Sequence, residues 1–159
     1  MKLLIRLVIL ATVLYVIFGY GFMITQVRGQ GMFPAMKDGD VCVIFRTAAM
    51  DLTGQKLQQD DVISYRLEDK RYFGRVVAVA GDQVQLGTSG SVQVNGITEK
   101  GEILFPTFAD VSVDMTVEDG TVYVLGDYRT QAEDSRMQGA IPLEAVEGKI
   151  ITILRRRQL

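Results

Sequence analysis

The sequence predicts a mainly β domain attached to a single N-terminal membrane helix. Three observations carry this expectation. Leu7–Thr25 is a run of 19 residues without a charge. From Asp40 onward, short apolar-rich segments alternate with Gly, Asp and Asn turns. Within that stretch only "IPLEAVEG", 141–148, hints at a helical turn. The 159 residues suffice for one ordinary domain, and 48% of them are apolar, so a core can form.

The apolar run comes first. At 1.5 Å per residue it spans about 28 Å, against about 30 Å for a bilayer core. A cleaved secretory signal would carry an apolar region of about 7–15 residues and then a small-x-small site. The residues that follow here, "QVRGQGMFP", offer no convincing small-x-small site. Residues 1–27 therefore read as a short cytoplasmic N-terminus and a retained anchor. Lys2 and Arg6 precede the run and Arg28 follows it. The positive-inside bias places the N-terminus in the cytoplasm and residues 28–159 on the extracellular face. Arg155–Arg157 then lies outside too, either solvated or touching anionic headgroups or wall polymer.

Strands are expected at "DVCVIFR" (40–46), "DVISYRL" (61–67) and "RYFGRVVAVAGD" (71–82). "QVQL" and "SVQVNG" read as a hairpin pair closing on Asn95-Gly96. "GTVYVLGD" (120–127) and "EGKIITILRR" (147–156) complete the set. Residues 97–120 are weakly patterned and read as a surface excursion. Many short strands separated by turns favour a barrel-like or sandwich-like architecture.

Composition excludes several functions. There is no histidine, which removes Ser-His and Cys-His mechanisms and most zinc sites. No metal or cofactor is implied. Cys42 is the one cysteine and reads as a small buried hydrophobe. Two of the 17 Lys and Arg lie in residues 1–27, leaving 15 against 19 Asp and Glu, a balance of −4. That gives no broad basic face for nucleic acid.

The order of motifs is specific. An anchor leads to "GMFPAMKDGD", then "DDVISYR", then "YFGRVVAVAGDQVQL" and "VQVNG", then "YVLGDYRTQAEDSR". This closely resembles the type I signal peptidases, membrane-anchored endopeptidases with a Ser/Lys dyad, over nearly all of the chain. The block "LGDYRTQAEDSR" is the most specific part. Gly126, Asp127, Arg129, Asp134, Ser135 and Arg136 match the family pattern Gly-Asp-Asn-Arg-x-x-Ser-x-Asp-Ser-Arg, while Tyr128 stands where Asn is usual. Asp127 and Asp134 could form an aspartic pair, but read instead as structural partners of Arg129 and Arg136; the resemblance implies that the matching residues hold the fold around the site.

The same resemblance points to missing chemistry. In the family's Ser-x-Ser-Met-x-Pro, Met32 and Pro34 match, but the nucleophile's place is Gly31 and the oxyanion-supporting Ser falls on Gly29. The base is the Lys of a Lys-Arg pair. Arg75 matches, but the Lys falls on Gly74, and the Ser that orients it falls on Ala132. A dyad of this kind needs a hydroxyl and a lysine of lowered pKa. Glycine supplies neither, and the guanidinium of Arg75 does not deprotonate in proteins. Lys70, four residues before Gly74 on the same strand face, lies about 13 Å away by strand rise. Ser89 and Ser91 belong to the expected hairpin.

Met32, Phe33, Pro34 and Arg75 are then expected to line a groove for an extended polypeptide; the alternative for Met32, Phe33 and Pro34 is that they pack the domain or rest against the membrane. Signal-peptidase-like proteins encoded with pili and sortases in Gram-positive bacteria lack the catalytic pair, and this sequence looks like them. The implied function is a chaperone-like factor in pilus assembly with pilin subunits or a sortase as partners. Two alternatives stand beside it: an active signal peptidase with displaced catalytic residues, and a membrane-surface scaffold or peptide-binding sensor.

Overall fold

A computed structural model describes residues 2–87, 91–99 and 112–155. Helix α1, Lys2–Gly21, has a mean hydropathy of 2.3 in its most apolar window, and none of that window is buried in the protein. Its 20 residues give about 30 Å, long enough to cross a membrane. The helix stops earlier than the apolar run. Strand β1, Phe22–Gln26, takes the last residues of that run and pairs antiparallel with β2, Val41–Arg46. Phe22 bridges the two elements: its ring lies 5.8 Å from Phe18 and 5.4 Å from Phe45.

The remaining elements are helix α2 (Thr47–Thr53), β3 (Val62–Leu67), β4 (Lys70–Val79), β5 (Gln83–Leu86), β6 (Val92–Val94), β7 (Ile97–Thr98), β8 (Val113–Thr116), β9 (Thr121–Leu125), helix α3 (Ser135–Gln138), β10 (Ile141–Pro142), a 3₁₀ turn (Leu143–Ala145) and β11 (Val146–Leu154). They form two antiparallel sheets, a seven-stranded one in the order β1-β2-β11-β3-β4-β9-β10 and a four-stranded one in the order β7-β6-β5-β8. The expected mainly β fold is what the chain adopts. The 3₁₀ turn falls inside "IPLEAVEG", as expected.

Strand β9 shows why the sheets stack. Successive side chains point to opposite faces, so Val122 and Val124 enter a core with Ile63, Tyr65 and Ile141. Tyr123 and Leu125 enter a second core with Val84, Leu86 and Val92 of the small sheet. A third core holds Val27, Met32, Met36, Cys42 and Ile44 beneath the loop after β1. Cys42 is a fully buried free thiol whose pKa burial pushes up, as a core residue's should be.

Three local expectations are corrected. The Asn95-Gly96 turn closes β6 onto β7, not β5 onto β6; both residues have positive φ, 53° and 76°, as a two-residue hairpin turn of this type requires. Residues 97–120 are not simply an excursion: β7 and β8 flank the segment, β8 pairs with β5, and Val117 is buried. Residues 100–111 lie outside the described set. Helix α2 had no sequence counterpart; its seven residues are too short for a period to show, although Gly54 caps it in the left-handed region (φ 68°).

Candidate functional site

The site is built on the loop after β1 and the loop between β9 and α3. Gly31 accepts through its carbonyl from Tyr128 N (2.9 Å), and Tyr128 accepts in turn from Ala132 N (3.0 Å). Gly31 and Ala132 are thereby brought together, and a Cβ at Gly31 would sit 3.6 Å from Ala132, an ordinary contact. Gly126 packs underneath. A Cβ there would approach both Ala132 and the Gly31 carbonyl closer than 3.0 Å, so the loop crossing needs glycine.

The framing residues hold this arrangement by hydrogen bonds. Asp134, 1% exposed, accepts from Gly126 N (3.0 Å) and is ion-paired to Arg136 (2.8 Å). Ser135 Oγ accepts from Val124 N (2.9 Å). Arg129 donates to the Gly126 carbonyl (2.8 Å), and Arg136 donates to the Arg129 carbonyl (2.6 Å). The pairing differs from expectation for two residues. Asp127 takes Arg75 in a two-pronged bond of 2.8 and 2.9 Å, and Arg129 takes Glu99 at 2.6 Å. Both partners are remote in sequence. The hydrogen bonds that Arg75 donates to Asp127 hold its pKa above the ordinary value.

Gly74 sits buried in β4 opposite Ile63. A Cβ there would fall less than 3.0 Å from Val124 Cγ1, closer than real Cβ contacts come. Val124 is fully buried in the core with Ile63, Tyr65 and Val76. The space beside Gly74 is therefore occupied by a core side chain. Gly29 is different: the space is open, but its φ of +88° favours glycine.

The expected groove residues do not share one groove. Met32 is 2% exposed and belongs to the third core, touching the cleft only as part of its floor. Arg75 lines another hollow, beside Asn95 and Glu99, with its side chain tied to Asp127 and the Asp60 carbonyl. Phe33 is on the surface, 36% exposed, 6.1 Å from the Tyr128 ring and under the Lys37 ammonium. Pro34, joined to it by a cis peptide, is exposed.

The cleft that does border Gly31 is formed instead by Arg28–Met32, by Lys70–Phe73 of β4 and by Gln131–Glu133, and holds about 160 Å³. Lys70 thus lines the same cleft as Gly31 and Ala132. Its ammonium is 2.6 Å from Glu133, and that hydrogen bond raises the Lys70 pKa and lowers that of Glu133. At the floor, Arg71 donates to both carboxylate oxygens of Glu147 (2.5 and 2.8 Å) and to Thr25 Oγ1 (2.7 Å). Ser64, fully buried, donates to the same Glu147 (2.7 Å). Burial pushes the Glu147 carboxyl up, but the bonds from Arg71 and Ser64 outweigh it and leave the pKa below the ordinary value. These partners are spread over four strands, and no local pattern announced them.

Residues 1–154 match the family described as "Signal peptidase, peptidase S26". The chain belongs to the S26 signal peptidase family. Among relatives, it is 28% identical over 140 residues to mitochondrial inner membrane protease subunit 1 of Saccharomyces cerevisiae, covering 87% of this chain and 70% of that one. It is 25% identical over 146 residues to signal peptidase IB of Staphylococcus aureus strain COL, covering 78% and 73%. The crystal structure of a signal peptidase I from Enterococcus faecalis superposes with a TM-score of 0.53 at 24% identity, covering 62% of this chain and 98% of that one, which supports the fold. In this S26 protein the block 126–136 is held by the Asp134–Arg136 pair, and it brings Ala132 beside Gly31.

Proposed function

We propose that this chain is a membrane-anchored S26 protein that binds extended polypeptide and does not cut it. The observation that carries the reading is at Gly74, the position that the resemblance pairs with the family's lysine base. Not only is the side chain absent, but the adjoining space is filled by Val124. Gly31, paired with the nucleophile, has no hydroxyl. Losing nucleophile and base together leaves binding and backbone donors, a drop of order 10⁶ in a serine protease.

A second reading is an active peptidase with displaced residues, favoured by the names of the relatives and by Lys70 in the cleft. Against it stands the Lys70–Glu133 pair. A base must release its proton near neutral pH, and this pairing raises the lysine pKa. Partners follow from the resemblance alone: pilin subunits or a sortase at the outer face of the membrane, reached from an N-terminus-in anchor that ends with the helix at Gly21 rather than at residue 27, with the β domain from Phe22 onward extracellular. The test is to mix the full chain, in detergent, with a pilin precursor that retains its signal peptide. Recovery of a complex with the precursor uncut supports the reading. A precursor shortened at its signal junction in the presence of this protein overturns it.

A further inference from the structure

The strand order leaves one seam without main-chain bonds. Among the described residues β1 pairs with β2, while β4 pairs with β3 and β9. Three strands, β2, β11 and β3, lie between β1 and β4 in the sheet. Yet Thr25 and Gln26 of β1 line a hollow of about 640 Å³ with Lys70, Arg71 and Phe73 of β4, next to the smaller cleft beside Gly31. The sheet therefore curls until its first strand faces the start of β4. We propose that Arg71 is a latch that closes this seam: anchored on Glu147, its guanidinium grips Thr25 and sets the gap between the two walls of the cleft. The proposal goes beyond the polypeptide-binding reading and does not depend on it.

Cross-strand pairing supplies the anchor. Arg66 and Arg71 stand opposite each other on β3 and β4, where like charges repel. Glu147 comes between them from β11, at the register shift between Val146 and Gly148. Its carboxylate takes Arg71 Nε and Nη2 in a two-pronged bond (2.5 and 2.8 Å) and accepts from Ser64 Oγ as well (2.7 Å). With those two nitrogens held, Arg71 presents Nη1 to Thr25 Oγ1 (2.7 Å), and Nη2 lies 3.9 Å from Met23 Sδ. Among the described residues no other hydrogen bond or ion pair joins β1 to β4.

A guanidinium suits this position. It forks to a carboxylate and keeps a further N–H for a third group, whereas an ammonium is a point charge on a flexible stem. Met23 and Thr25 share one face of β1, and Arg71 and Phe73 share one face of β4. Met23 and Phe73 pack on the third core. The latch therefore sits where that apolar core gives way to the cleft. What it holds is an edge strand of five residues with a main-chain partner on one side. No linker separates that strand from the apolar helix: α1 ends at Gly21 and β1 starts at Phe22. With the Arg71–Thr25 bond broken, β1 keeps its pairing with β2 and loses its polar hold on the opposite wall. Arg71 thus acts on the cleft through the place of β1, as a positioning residue.

The test measures the width of the seam. The full chain in detergent carries nitroxide labels at Ile24→Cys and Asp69→Cys, and dipolar EPR reads the distance between them. Ile24 is 70% exposed on the face of β1 opposite to Thr25, and Asp69 is exposed in the β3–β4 turn. The native Cys42 is buried and does not compete for label. In this labelled background Arg71→Met should lengthen the mean distance by about 3 Å, the width of a water admitted between the walls, and broaden its distribution. Thr25→Val removes the acceptor on β1 and should do the same; the two together should do no more than either alone. Arg71→Lys, which cannot fork to Glu147 and still hold Thr25, should fall between the parent and Arg71→Met. Arg66→Ala is the control. Arg66 shares Glu147 but makes no bond to β1, so the distance should hold. Circular dichroism verifies folding, and if Arg71→Met does not fold, Thr25→Val decides alone. An unchanged distance in a folded Arg71→Met or Thr25→Val variant overturns the latch. An equal lengthening in Arg66→Ala also overturns it, because the effect would then come from the charge around Glu147 and not from the bridge to β1.

Discussion

Gly74→Ala should destabilise the protein, although the same change in a strand interior ordinarily helps. Glycine there is worse than alanine by about 0.5–1 kcal/mol, because glycine loses more freedom on folding. Here the added methyl would fall less than 3.0 Å from Val124 Cγ1. Val124 is fully buried and β-branched, so it cannot swing aside without driving a methyl into Ile63, Tyr65 or Val76. Overpacking of this kind costs about 1–3 kcal/mol. The net loss is about 0–2.5 kcal/mol, or a melting temperature lower by up to about 10 °C for a domain of this size. Gly31→Ala is the control: its methyl meets Ala132 at 3.6 Å, and stability should hold or rise. In a Val124→Ala background the penalty at Gly74 should vanish, giving a coupling of about 1 kcal/mol or more in a double-mutant cycle. Thermal melting of the four proteins in detergent decides. A Gly74→Ala variant that melts at or above the parent temperature would refute the claim that Val124 fills the base's place. The consequence for rebuilding activity is direct: Gly31→Ser with Gly74→Lys needs Val124 trimmed as well, and Gly31→Ser alone has no base.

Asp134→Ala should remove the carboxylate that Arg136 pairs with and leave the Gly126 N–H without its acceptor in a buried site. The expected loss is about 3–5 kcal/mol, read as a large fall in melting temperature before any specific loss of binding; an unchanged melting temperature with lost binding would place Asp134 on an interaction surface. Glu147 has a folded pKa below the ordinary 4.5. Its contribution to stability is therefore present above pH 4.5 and is lost as the pH falls through the folded value. The melting temperature should drop over that acid window, and Glu147→Gln should flatten the drop; an identical acid profile in the variant would contradict this. Phe33→Asp should leave the fold intact, since Phe33 lies on the surface against Tyr128. If this surface meets a partner, the lost apolar contact weakens association by about ten- to a hundred-fold, and a folded variant with unchanged partner binding would remove Phe33 from the working surface.

Much of this was legible in the chain because local pattern and local structure agreed. "TVYVL" alternates in sequence and alternates between two cores in space. The Asp134–Arg136 pair, two residues apart, is local as well. The failures share a cause. "FMIT" is as apolar as the helix before it, so composition alone could not mark where α1 ends and β1 begins. Met32 matches a motif, but whether a motif residue faces a groove or a core depends on what packs behind it. Arg75–Asp127 and Arg129–Glu99 are separated by 52 and 30 residues and exist only through the strand order. The filling of the space beside Gly74 depends on one methyl of a strand about 50 residues away, which no local pattern encodes.

The central claim is that the frame of an S26 site survives here without its reagents. The most direct measurement is turnover of a fluorogenic signal-peptide substrate by the full-length protein in detergent, with the protein in excess so that even slow cleavage registers. The expected result is a rate indistinguishable from buffer at neutral pH. Turnover in the ordinary enzyme range, about 1–10³ s⁻¹, abolished by a point substitution within this chain such as Lys70→Met, would contradict the account.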